Sequence, residues 1–199
     1  LREVLDAQFL KELGKDLGEE GPVKVTRDAW NDMNGAPRGC FMVEAVDEAS
    51  ARSAFPRDRF PAGAELVPQA SAPGERLVLL ALGAPVLTHE AIFTARPIKD
   101  PVSTPATNLK LNPEGTRKLA EVTTRIKGKK LAIVLDGKVT SAPVMLQPIE
   151  SGELPLPQAD VGDRKSRERA ADILAAALSS GPLPGPMRLD EERQVAKAR

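Results

Sequence analysis

The chain has 199 residues, enough for one sizeable core or a core with a smaller satellite. It carries 28 acidic and 28 basic residues, so no net field draws it to nucleic acid or to an anionic membrane. Aromatics make up 3%, too few for a base-stacking surface, and no window approaches 18 consecutive apolar residues, so no segment reads as a bilayer-spanning helix.

From the start of the chain, Val4, Leu5, Phe9, Leu13 and Leu17 fall close to a helical stripe, weakened by Gly14 and ended by Gly18 and Gly21-Pro22. Residues 1–37 therefore read as an N-terminal helical segment. Past the break Gly35-Ala-Pro-Arg-Gly39, strands are expected at Cys40–Val46, Glu65–Val67 and Arg76–Leu82, the last two around a Pro/Ala/Gly-rich loop at 68–74. Residues 38–84 thus form a small strand-containing base region, closed by Gly83-Ala-Pro85. Thr88 is placed to cap a short helix from His89 to Ala95, and three prolines make 97–105 a loop. A strand follows at Ala106–Leu111. Asn112 then caps a helix with Pro113 at its first position, where the missing N–H costs nothing. Leu119, Val122 and Ile126 form its apolar face, and Gly128 ends it.

The most informative stretch is next. Leu131 to Leu135 is apolar throughout and runs into Asp136-Gly137, a pair suited to a type I′ hairpin turn because both central residues need φ > 0. The returning run carries Pro143 and Pro148, which lack an N–H and suggest a bulge or an edge strand. Leu154–Gln158 reads as one more short strand. Ser166 is placed to cap a second helix with Ala170, Ile173, Leu174, Ala177 and Leu178 as its stripe, Gly181 as its stop, and a last strand at Pro186–Arg193. Residues 196–199 are a tail. From 106 onward the order is strand, helix, strand, strand, helix, strand. The predicted class is α+β: a ferredoxin-like head of two helices on an antiparallel sheet, spanning 85–195 and preceded by the smaller α/β base region. Arg117, Lys118, Arg125, Arg167 and Arg169 are left to solvent.

Chemistry is sparse. His89 is the only histidine and has no Cys or activated Ser in a nucleophile setting; one His and one Cys cannot build a zinc site. Glu19-Glu20 and Asp190-Glu191-Glu192 lack calcium-loop spacing, and Asp136-Gly-Lys138 lacks the glycines and helix start of a phosphate cradle. Lone Cys40 cannot form an internal disulfide and suits a buried small hydrophobe. Residues 110–130 hold seven Lys/Arg against two Glu, read as a solvated face. No catalytic residue, cofactor or metal is expected, and the chain reads as a non-enzyme. What remains is contact with polypeptide, through apolar side chains or strand addition at an edge. Val144, Met145, Leu146 and Ile149 are the candidate contacts, the alternative being that they fill the core under a helix.

The wording Leu131-Ala-Ile-Val-Leu-Asp-Gly-Lys-Val-Thr-Ser-Ala-Pro143 resembles the central hairpin in the large first extracytoplasmic domain of the SecD family of bacterial protein translocase subunits (SecD and SecDF). Leu111-Asn-Pro-Glu-Gly115, Glu121-Val-Thr123, Leu178-Ser-Ser-Gly-Pro-Leu-Pro184 and Glu191-Glu-Arg193 are similar to later family segments, in the same order. Phe41–Asp47, Pro61-Ala-Gly-Ala-Glu-Leu66 and Pro85-Val-Leu-Thr88 fit a weaker upstream pattern. The resemblance covers about residues 38–195 and is specific between 109 and 150.

The resemblance implies a head-bearing domain on the periplasmic, extracytoplasmic side of the bacterial inner membrane. It implies transient binding of unfolded preprotein, with SecF and SecYEG as partners and no nucleic acid. Proton coupling would lie in membrane helices, so membrane attachment would come only through segments outside this chain. Gly83–Pro85 and 97–105 are the hinge candidates. Position 1 is Leu rather than Met, so the expectation is either a piece of a membrane protein or a stand-alone soluble envelope protein using the head fold as a scaffold or docking module.

Overall fold

A computed structural model describes residues 1–18, 21–69, 75–100, 102–158 and 162–180. It has the expected α+β class, with antiparallel strand pairing and few helices. The larger sheet contains β1 (Arg2–Val4), β2 (Val23–Asn31), β3 (Pro37–Ala45), β4 (Glu65–Pro68), β5 (Leu77–Pro85), β8 (Leu131–Leu135) and β9 (Lys138–Ser141). Its order is β2-β3-β5-β1-β8-β9, with β4 also on β5. A bridge between Gln69 and Val139 joins the end of β4 to β9, so β5, β1, β8, β9 and β4 close into a ring. Val4, Val67, Leu80, Leu82, Ala132 and Val139 fill it.

β5 is apolar because both of its faces are covered. Leu80 and Leu82 enter the ring, whereas Leu79 and Ala81 pack with Val23, Val43, Ala45 and Leu10 under α1 (Gln8–Leu13) and α2 (Glu48–Ala54). Alternation on a strand sends successive side chains to opposite faces, so a doubly covered strand needs no polar positions.

The smaller sheet is β10 (Glu153–Pro157), β7 (Ala106–Leu111) and β6 (Ile92–Ile98), in that order. α4 (Arg164–Ser180) lies on it, and the buried Thr107 hydroxyl donates to Ala171 O at 3.0 Å. α3 (Pro113–Arg125) buries Leu119 and Val122, with Ile126 just past its end, against Leu111, Leu131 and Met145. Its start is as expected: the Asn112 side chain accepts the Gly115 N–H at 2.7 Å, with Pro113 at the first turn. The hairpin is also as expected. Asp136 has φ 48° and Gly137 φ 75°, and Leu135 pairs with Lys138 across a two-residue turn.

Several expectations are corrected. Residues 1–37 are not a helical segment: α1 has six residues, β1 precedes it and β2 follows. Tertiary pairing sets β1, which lies between β5 and β8, and Ala7 at φ 37° turns the chain into α1. Thr88 caps no helix to Ala95; a single 3₁₀ turn, His89–Ala91, leads into β6, where Ile92 and Thr94 suit a strand and pair with β7. Gly83–Pro85 is no boundary, because β5 runs through it and Pro85 sits opposite Arg2. The strands expected in one ferredoxin-like sheet are divided, β8 and β9 joining the larger sheet and β7 and β10 the smaller.

α4 starts before Ser166, whose N–H is accepted by Asp163 Oδ1 at 2.9 Å. Its buried stripe is Ala171 and Ala175 with Leu174 and Leu178 partly covered, while Ile173 is 62% exposed. Most of the 68–74 loop, Gly181, the strand at Pro186–Arg193 and the tail lie outside the described residues.

Two caps give a pH prediction. Hydrogen bonds from the backbone and hydroxyl of Ser50 hold the Asp47 carboxyl below its ordinary value, and those from the hydroxyl and backbone of Ser166 do the same for Asp163. A carboxylate whose pKa is depressed on folding stabilises above the unfolded value, near 4, and that contribution is lost as pH falls through the folded value. The urea midpoint is expected to drop as pH is lowered from about 5 to 2. The D47N/D163N double variant should show a shallower drop, since Asn caps without titrating. Superimposable profiles would remove these caps from the acid response.

Candidate functional site

The two sheets meet at an apolar cleft of about 310 Å³. β7 supplies Leu109 and Leu111, β10 supplies Leu156, and β6 begins it with Ile92. β8 contributes Ile133, Val134 and Leu135 from the other sheet, and Leu1, Pro85, Leu87 and Leu178 complete the apolar lining. β8 can serve both sides because Ala132 points into the ring while Leu131 and Ile133 point to the cores under the helices.

Polar side chains stand at the cleft margin as Arg2, Thr88 and His89. Arg2 is already committed: Nε donates to Gly83 O at 2.6 Å, and a terminal nitrogen donates to Glu65 Oε2 at 2.7 Å. That hydrogen bond, with the charge of Arg2, holds Glu65 below its ordinary value against the opposing effect of burial. His89 is exposed in its 3₁₀ turn. Among the described residues no group of His, Cys, Asp or Glu is placed to hold a metal ion. Cys40 is buried in the ring core, and burial, reinforced by Asp28, pushes its thiol up to about 11, so it is a poor nucleophile. The cleft wall is aliphatic, with polar side chains only at its margin.

The four contact candidates from the sequence do not form one surface. Met145 is 6% exposed and belongs to the core beneath α3, and Ile149 packs partly against it. Val144 is half-buried. Only Leu146 is open, at 47%, beside Met33 in a small depression with Lys127. Nor is this run an extended edge strand. Met145 N–H donates to Lys129 O, Gly128 N–H to Met145 O and Leu131 N–H to Pro143 O, so its backbone is spent on the preceding loop. The cleft residues were missed because they come from six separate segments, although the alternation of Leu109 with Leu111 and Leu154 with Leu156 marks each strand.

Three of the seven bases in the basic stretch pair with acids distant in sequence. Arg125 and Lys129 reach Glu3 at 3.5 and 3.4 Å, and Lys130 pairs with Asp28. Lys130 also stands 4.8 Å from the ring centre of Trp30, whose indole N–H donates to Gly128 O at 2.9 Å. These contacts fasten the tip of the β2–β3 hairpin to the loop between α3 and β8.

Comparison with known proteins locates this architecture. Residues 64–185 match the family model described as SecDF, P1 head subdomain. Protein translocase subunit SecDF of Thermus thermophilus is 42% identical over 114 residues, which is 57% of this chain and 15% of that protein. Protein translocase subunit SecD of Desulfurispirillum indicum is 41% identical over 111 residues, 55% of this chain and 20% of that protein. A solved structure of SecDF, described as a membrane component that enhances protein export, aligns over 94% of this chain and 73% of its own, at 26% identity and a TM-score of 0.49.

Proposed function

Since the chain belongs to the SecD/SecDF family of protein translocase subunits, whose P1 head subdomain it contains, we propose that it transiently holds translocating preprotein on the extracytoplasmic face of the bacterial inner membrane. The observation that carries this reading is the cleft between the sheets, lined by ten aliphatic side chains from β6, β7, β8, β10 and α4 with Leu1 and Leu87. An emerging chain that has not folded presents Leu, Ile, Val and Phe side chains to water, and removing one from water is worth about 1.5–3 kcal/mol. One or two such side chains give weak, reversible capture, which suits a step that must release its client. Contact is non-directional, so many sequences are served alike. The chain acts by binding, without catalysing a reaction, and SecF and SecYEG are its partners in the membrane.

A photoreactive benzoylphenylalanine at Leu135, half-buried at the cleft margin, tests this. Incubated with reduced, carboxymethylated α-lactalbumin as the unfolded client, it is expected to give adducts well above those from the same group at Thr124, on the exposed side of α3. The yield should hold in high salt, because no ion pair contributes. Equal yields at the two positions would refute capture in the cleft.

A further inference from the structure

Three strand edges are closed by the chain's own residues. β10 pairs with β7 residue by residue, so Pro155 and Pro157 leave its outer edge without donors at those positions. β6 carries Pro97, and Ser179 of α4 donates to Ala95 O at 3.2 Å. β9 meets β4 through the bridge at Val139.

β2 differs. Pro22 O accepts from Val46 N and Asp32 N donates to Ala36 O, both at 3.0 Å, so the even-numbered residues between them turn their backbone groups toward β3. Val23, Val25, Arg27, Ala29 and Asn31 turn theirs outward, and among the described residues no backbone group answers them. Neither a proline nor a register shift interrupts these nine residues. An open edge of this length is a template for another strand.

We propose that this edge pairs with β2 of a second copy of the chain, antiparallel about a two-fold axis through Thr26. Outward residues must face outward residues, so the axis passes through a residue position. Centred on Arg27 the pairing sets Arg27 against Arg27, and centred on Asp28 it sets Asp28 against Asp28; like charges directly opposite are destabilising. Centred on Val25 it joins no opposite charges. Centred on Thr26 it places Lys24 opposite Asp28 in both halves, with Thr26 facing Thr26, Val25 facing Arg27 and Val23 facing Ala29. Lys24 already binds Glu44 at 2.9 Å and Asp28 already binds Lys130. The pairing therefore aligns Glu44, Lys24, the second copy's Asp28 and its Lys130 in a row of alternating sign. Such an interface is isologous and closes at two copies.

The test is disulfide trapping in the full chain, where buried Cys40 is the sole native thiol. Thr26→Cys under mild oxidation is expected to give at least ten times the covalent dimer of Arg27→Cys. Adding Val25→Pro, which deletes an outward N–H and no bond to β3, should bring the yield down to the Arg27→Cys level with an unchanged circular dichroism spectrum. Equal yields from the two cysteine variants would overturn the proposal. So would a wild-type chain that stays monomeric in sedimentation at millimolar concentration, or β2 amides protected from exchange only when an unfolded polypeptide is added.

Discussion

Replacing Leu82 with alanine is expected to lower stability by about 2–5 kcal/mol, the range for emptying a buried leucine site. Leu82 is fully buried and stands where the ring is tied together, opposite Val4 of β1 on one register and Glu65 of β4 on another. Its neighbours are held by strand pairing on both sides, so they cannot collapse into the space, and the loss should fall in the upper part of that range. In a chain of this size the melting temperature should drop by roughly 10 °C. Leu66→Ala is the comparison, since Leu66 lies on the adjacent strand but is only partly buried against the core under α1 and α2. A thermal melt in which the two variants lose equal stability would mean that the ring is not the rigid part of the fold.

Gly152→Ala is the second large effect. Gly152 has φ +68°, and its carbonyl accepts the Leu111 N–H at 2.8 Å, which fixes it at the end of β7. A Cβ there would lie 2.1 Å from Thr116 Oγ1 and 3.0 Å from Thr116 Cβ, inside contact distance. The left-handed backbone costs an alanine about 1 kcal/mol. Forcing α3 away adds about 1–3 kcal/mol. Gly137 in the hairpin turn separates the two contributions: its φ is +75° but open space surrounds it, so Gly137→Ala should cost only about 1 kcal/mol. Thr116→Ala introduced with Gly152→Ala should restore part of the loss, because it removes the nearest atom. Equal urea midpoints for Gly152→Ala and Gly137→Ala would show that the clash with α3 is absorbed at no cost.

What was legible in the sequence is local chemistry. Asp136-Gly137 announced its turn because few dipeptides accept two positive φ values, and Asn112-Pro113 announced a helix start through a cap and a missing donor. The strand limits Ala106–Leu111 and the burial of Leu119, Val122 and Ile126 also followed from pattern alone. What failed depends on partners distant in the chain. Val23–Asn31 was not read as a strand because Arg27, Trp30 and Asn31 break its alternation, yet β3 pairs with every residue of it. The local sequence leaves Met145 open between a polypeptide contact and core under a helix, and only the fold of α3 over it decides for the core. Ile173 looked like core because the stripe on α4 was centred to one side of the true one: Leu174 and Leu178 do face the sheet, but the line between them runs through Ala171 and Ala175, and Ile173 is left exposed. The cleft could not be read at all, since its walls join residues from Leu1 to Leu178.

The position of β1 bears on the order of assembly. Its three residues hydrogen-bond to Leu82–Pro85 on one side and Leu131–Ala132 on the other. Contacts so distant along the chain carry a large loop-closure penalty and slow the search for the native state. The β2–β3–β5 meander can form while the polypeptide is still being synthesised. The ring cannot, because its seam waits until the hairpin after residue 130 has emerged. Until then β1 has a neighbour on one edge only, and closure of the ring waits on that hairpin.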